Sequence, residues 1–116
     1  MISHLIAVYG TLKKGNHNDF FLETAAFVKN DHTGPGFALF VDRLPYLVRR
    51  EDGLGCEIEI YEVDSQTKAA LDKLEGHPNF YTREVLREDS GRVIEIYVLH
   101  DEEIEKLPIS QSKETF

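Results

Sequence analysis

The sequence holds little of what most quickly assigns a chain to a class. It has one cysteine, Cys56, in 116 residues, which excludes a disulfide framework within the chain. It has no tryptophan, so its aromatic content is carried by Phe and Tyr. No apolar stretch approaches the roughly 20 residues of a membrane-spanning helix. Basic residues are scarce: 13 Lys and Arg stand against 21 Asp and Glu, for a net charge of −8. That balance argues against nucleic acid as a partner, because phosphate binding needs a clustered basic face, and against polybasic attachment to a membrane. No G-x-S-x-G elbow occurs. The histidines (His4, His17, His32, His77 and His100) show neither H-x-x-H nor H-x-x-x-H spacing, so no metal site is expected. The apolar run Leu5 to Tyr9 has no basic segment before it; a signal peptide is not expected, and cytoplasmic residence is the default expectation.

What remains is an ordinary globular composition, 41% apolar and 29% charged, at a length that suits one domain. We expect a single domain over residues 1–116. Leu5 to Tyr9 reads as a buried first strand ending at Gly10. A loop punctuated by Gly10 and Gly15 follows, and Asn18 or Asp19 is placed to cap a short helix reaching Ala25. Strands are expected from Ala26, over Phe37 to Val41, and again from Leu44 to Val48. Asp52-Gly53 gives a hairpin signal within Arg49 to Gly55. Glu57 to Glu62 alternates, with Ile58 and Ile60 inward and Glu57 and Glu59 outward. Asp64 or Ser65 opens the clearest helix. Its apolar stripe is Ala70, Leu71 and Leu74, and Gly76 and Pro78 end it near Glu75. Tyr81 to Arg87 and Val93 to Leu99 form a hairpin through an Asp89-Ser90-Gly91 turn. Residues 101–116 read as a loosely held tail. Runs of strands with few helices predict an α+β domain: a small, mixed, mainly antiparallel and barrel-like sheet with two main helices.

Two places can carry chemistry. Gly10 to Gly15 has P-loop glycine spacing, but Asn16 and His17 stand where Lys and Ser/Thr are needed, so the nucleotide reading fails. The loop is either a plain connection or a nest whose N–H groups bind a carboxylate or oxyanion. Glu75 is either an exposed residue at a frayed helix end or a carboxylate raised in pKa by apolar neighbours and the helix C-terminus, as a general acid/base requires. Cys56 fits a small core residue better than a nucleophile.

These features recur in one order with others. V-Y-G-T-L-K-K-G at Val8 to Gly15 and L-D-K-L-E-G-H-P-N-F-Y-T-R-E at Leu71 to Glu84 resemble the two signatures of the gamma-glutamylcyclotransferase-like family. L-P-Y-L-V at Leu44 to Val48 and G-C-E-I-E-I-Y-E-V-D at Gly55 to Asp64 resemble intervening family segments. The forms are most similar to the gamma-glutamylamine cyclotransferase branch. The resemblance implies intramolecular aminolysis of a gamma-glutamyl amine or peptide to 5-oxoproline and free amine, with Glu75 as general acid/base. It implies that Gly10, Thr11 and Leu12 cradle the substrate while Tyr9 and Tyr81 line the pocket. Arg83 then orients Glu75 or sits on a strand face, and the second is favoured. No cofactor is required, the partner is a small molecule, and the chain is expected as a monomer or weak homodimer. The alternatives are a non-enzymatic binding module that uses Glu75 only as a ligand contact, and an interaction domain with a vestigial pocket.

Overall fold

A computed structural model describes residues 3–16, 18–87 and 91–116. The first strand, β1 (Ser3–Val8), lies in the middle of a five-stranded sheet. On one side β1 pairs antiparallel with β5 (Glu57–Asp64), from Ser3 opposite Asp64 to Val8 opposite Glu59. On the other side it pairs in parallel with β7 (Val93–Leu99), Ile6 with Glu95 and Ala7 with Ile96. The edges are β2 (Ala26–His32), against β5, and β6 (Tyr81–Arg87), against β7. Both edge pairs are antiparallel, so the sheet is mixed but mainly antiparallel. β3 (Phe37–Asp42) and β4 (Leu44–Arg49) form a separate antiparallel hairpin, and β4 packs beside β7.

Period-two alternation builds the interior. Along β1, Ile6 and Val8 join one apolar cluster while Ala7 and Tyr9 join another. Along β7, Tyr97 and Leu99 go to the first cluster, and Ile94, Ile96 and Val98 to the second. Side chains on opposite faces of a strand can both be buried only if both faces are covered. Here β3 and β4 contribute to both clusters, Ala38, Phe40 and Val48 to the first and Phe37, Leu39 and Leu47 to the second, and Leu71 of the helix after β5 together with Leu12 and Leu22 completes the first. The result is an α+β fold in which a mostly antiparallel sheet curls against a hairpin, with two helices, α1 (Ser65–Glu75) and α2 (Glu102–Glu105). No helix among the described residues is long and apolar enough to cross a membrane.

Several expectations need correction. Arg49 to Gly55 is not a hairpin turn, because β4 pairs back onto β3 and the segment carries the chain between sheets. The tight hairpin lies upstream, with Arg43 at its apex in the left-handed region (φ 66°). The helix expected from Asn18 to Ala25 shrinks to a 3-10 turn, Asp19–Leu22, without a side-chain cap. Its two capping candidates are engaged elsewhere: Asn18 Nδ2 donates to Thr11 Oγ1 (3.0 Å), and Asp19 Oδ2 accepts from Gly15 N (2.9 Å). The segment expected to be a loose tail carries α2 and makes defined contacts. Lys113 N donates to Leu39 O (2.8 Å), Glu57 N donates to Glu114 O (2.6 Å), and Arg50 Nη1 donates to Leu107 O. Ile104, Leu107 and Ile109 pack on the first cluster. The β6–β7 register runs as the hairpin reading requires, Tyr81 opposite Leu99 and Arg87 opposite Val93; Asp89 and Ser90 of its turn lie outside the described residues.

Candidate functional site

Glu75 is aimed by the helix that carries it. Asp64 caps α1, its Oδ1 accepting from Thr67 N at 2.7 Å. Gly76, in the left-handed region (φ 67°), ends it. Of the stripe Ala70, Leu71 and Leu74, only Leu71 is buried (0% exposed). Residues four apart share a helix face, so seating Leu71 in the core turns Glu75 inward as well.

That carboxyl borders a cavity of about 200 Å3 shared with Tyr9, Gly10, Thr11, Leu12 and Tyr81. The sequence-predicted residues, some sixty positions apart in the chain, therefore line one space. Among the described residues Glu75 has no hydrogen-bond or ion-pair partner, and burial alone pushes its pKa from an ordinary 4.5 up to about 7. Removal from water disfavours its charged form.

The loop that lines the same cavity owes its shape to close packing and to side-chain ties. A Cβ on Gly10 would lie 2.2 Å from Cγ of Pro45, so only glycine lets the chain pass this close to β4. Gly10 O accepts from Lys13 N (3.0 Å) and Asn16 Nδ2 (2.9 Å), and Thr11 O accepts from Asn18 N (2.7 Å). Every bond to these two residues thus uses an oxygen. Among the described residues, the backbone N–H groups of Gly10, Thr11 and Leu12 donate to nothing. Unpaired N–H donors beside a cavity suit a carboxylate or an oxyanion.

The cavity floor is aromatic, and its hydroxyls are already engaged. Tyr9 donates to Tyr97 O (2.7 Å), Tyr81 to Pro45 O (2.8 Å) and Tyr97 to Asp72 Oδ1 (2.7 Å). Burial raises the pKa of all three above the ordinary tyrosine value, and the nearby Glu75 charge adds to each. They are rigid, neutral walls. Tyr97 and Pro45 escaped the sequence reading; the only trace of either was L-P-Y-L-V, whose proline marks a special backbone but names no partner.

Arg83 does not reach Glu75. Its Nε donates to Asp72 Oδ1 (2.7 Å) and its Nη1 to Glu95, which also binds Lys68 Nζ (2.9 Å). Burial works to raise the Glu95 pKa, but its bonds from Lys68 and Arg83 hold it below the ordinary range. This lattice fixes Asp72, and through it Tyr97, behind the cavity. Cys56 is fully buried, its thiol pushed up to about 12 by burial, and it belongs to the core.

The family model for gamma-glutamyl cyclotransferase, AIG2-like, matches residues 6–114. A Methanocaldococcus jannaschii protein provisionally named a gamma-glutamylcyclotransferase is 37% identical over 97 residues, 80% of each chain. One of the same provisional name from Vibrio cholerae is 34% identical over 91 residues, 78% of this chain and 77% of its own. Among solved structures, an AIG2-like protein from Mus musculus superposes with a TM-score of 0.83 at 29% identity, covering 97% of this chain and 89% of the other.

Proposed function

The chain belongs to the gamma-glutamyl cyclotransferase, AIG2-like family, and from that premise we propose that it converts a gamma-glutamyl amine or peptide to 5-oxoproline and the free amine. Ring closure is intramolecular, so the protein has chiefly to fold the substrate and manage one proton. The substrate's α-ammonium, with a reference pKa near 8, must lose a proton before its nitrogen can attack the γ-carbonyl. Glu75, at about 7, is matched to accept it. The new C–N bond closes the lactam, the bond to the leaving nitrogen breaks, and Glu75 returns its proton to the departing amine. The N–H groups of Gly10, Thr11 and Leu12 hold the α-carboxylate or the developing oxyanion. Tyr9 and Tyr81 line the pocket.

The observation that supports this reading is the meeting of opposites in one small cavity, lined both by an unpartnered carboxyl and by residues whose N–H groups are unpaired among the described residues. The test is release of 5-oxoproline from a panel of gamma-glutamyl amines and gamma-glutamyl dipeptides by the purified chain. A binding module would retain these compounds without product, and that outcome refutes the enzyme reading.

A further inference from the structure

The walls of the cavity divide by exposure. Tyr9, Leu12, Tyr81 and Tyr97 are 7% exposed or less and form its floor, whereas Leu44, Leu74 and Phe80 are 51%, 38% and 55% exposed and must stand at its opening. Large apolar side chains gathered at the mouth of a pocket mark a place where something apolar is received. Among the described residues, the cavity has no charged lining side chain other than Glu75. The one side-chain amide lining it, Asn18, donates its Nδ2 to Thr11 Oγ1 and offers an ammonium only a neutral amide oxygen.

Resting on the cyclotransferase reading, we propose that the rim of Leu44, Leu74 and Phe80 receives the substituent of the leaving amine and selects apolar amines over cationic ones. The glutamyl half carries both the ammonium that Glu75 would meet and the carboxylate that the loop would hold, and so it occupies the floor. The leaving amine then projects outward across the rim. A second ammonium there, as in a diamine or a lysine side chain, would displace water from three apolar side chains and find no carboxylate to pair with. An alkyl or aryl group would cover the same side chains and gain from it. Leu44 comes from the β3–β4 hairpin, and Leu74 and Phe80 flank the end of α1. The preference is thus set by one residue of the hairpin, one of the segment after α1, and Leu74, which precedes Glu75 on the same helix.

The test uses a matched pair of substrates, gamma-glutamyl-pentylamide and gamma-glutamyl-(5-aminopentyl)amide, identical but for a terminal ammonium. We expect wild type to favour the pentylamide by about tenfold or more in kcat/KM, the range one apolar contact region can discriminate. Leu44→Glu, at an exposed hairpin position, should shrink or reverse that ratio by supplying the missing carboxylate. Phe80→Ala should shrink it without reversal. Equal or inverted ratios in wild type overturn the rim assignment and leave the cyclotransferase reading standing. If neither compound yields 5-oxoproline, competitive binding of the same pair decides the rim: tighter pentylamide binding upholds it, and equal binding refutes it; the cyclotransferase reading itself fails only if the wider panel of gamma-glutamyl amines and dipeptides also gives no product.

Discussion

Glu75→Gln separates the chemical role of the carboxyl from its structural burden. In the folded chain its pKa stands at about 7 against an ordinary 4.5, because burial disfavours the charged form. Folding therefore favours the protonated acid. Below pH 4.5 both folded and unfolded chains hold the proton, and no penalty exists. Between 4.5 and about 7 the unfolded chain ionises first, and stability falls as pH rises. Above about 7 the whole penalty is present: at about 1.36 kcal/mol per pH unit it amounts to at most about 3 kcal/mol. The amide has the same shape and no charge, so the substitution should remove the penalty. At about 4 °C per kcal/mol for a chain of this length, the variant should melt up to about 12 °C above wild type at pH 8 and together with it at pH 4.5. The same variant loses the proton acceptor and donor. kcat for 5-oxoproline release should fall about 10²–10⁴-fold, with KM changed far less. The assays are calorimetric melting at the two pH values and product release at pH 8. A Tm difference that is the same at both pH values would show that Glu75 is not held out of water. Turnover by the variant near the wild-type rate would remove Glu75 from the mechanism.

In wild type, kcat/KM should climb with pH through about 7 as Glu75 ionises, a limb that pre-steady-state or initial-rate profiles should show and that Glu75→Gln should lack. Gly10→Ala places a Cβ 2.2 Å from Cγ of Pro45; it should lower stability by about 1–3 kcal/mol in urea titration and raise KM by shifting the loop. Truncation before Leu107 removes the bonds to Leu39, Glu57 and Arg50 and the packing of Leu107 and Ile109. It should lower stability by about 2 kcal/mol or more, whereas an unchanged urea midpoint would mean the segment contributes nothing.

Local order was legible because it is written locally. The alternation of Ile58 and Ile60, the cap and stop of α1, and the β6–β7 hairpin each depend on residues within a few positions of one another. The failures are competitions among partners that residue type alone does not rank. Asn18 and Asp19 are good caps by type, but the Thr11 hydroxyl and the Gly15 amide claim them first. The segment Arg49 to Gly55 has the residues of a hairpin turn, yet β4 finds its partner upstream. The final segment looks polar and loose because many of its anchors are backbone groups, which leave no mark on composition, and only three apolar side chains, Ile104, Leu107 and Ile109, add packing. Gly10 looked like a turn glycine, whereas its requirement comes from Pro45, thirty-five positions away.

The site itself was closer to legibility than spacing suggested. Leu71 and Glu75 are four apart, and a residue four positions after a core leucine faces where that leucine faces. Leu74, the stripe residue three positions after Leu71, is 38% exposed and lines the cavity. Glu75, the position the stripe would ordinarily give to another apolar residue, is drawn inward instead. A carboxylate on the buried face of an amphipathic helix must be ion-paired, hydrogen-bonded or held near neutrality by its surroundings. Among the described residues Glu75 has neither ion pair nor hydrogen bond, which leaves the third condition, and a carboxyl poised between charged and neutral near pH 7 is able to exchange protons in both directions.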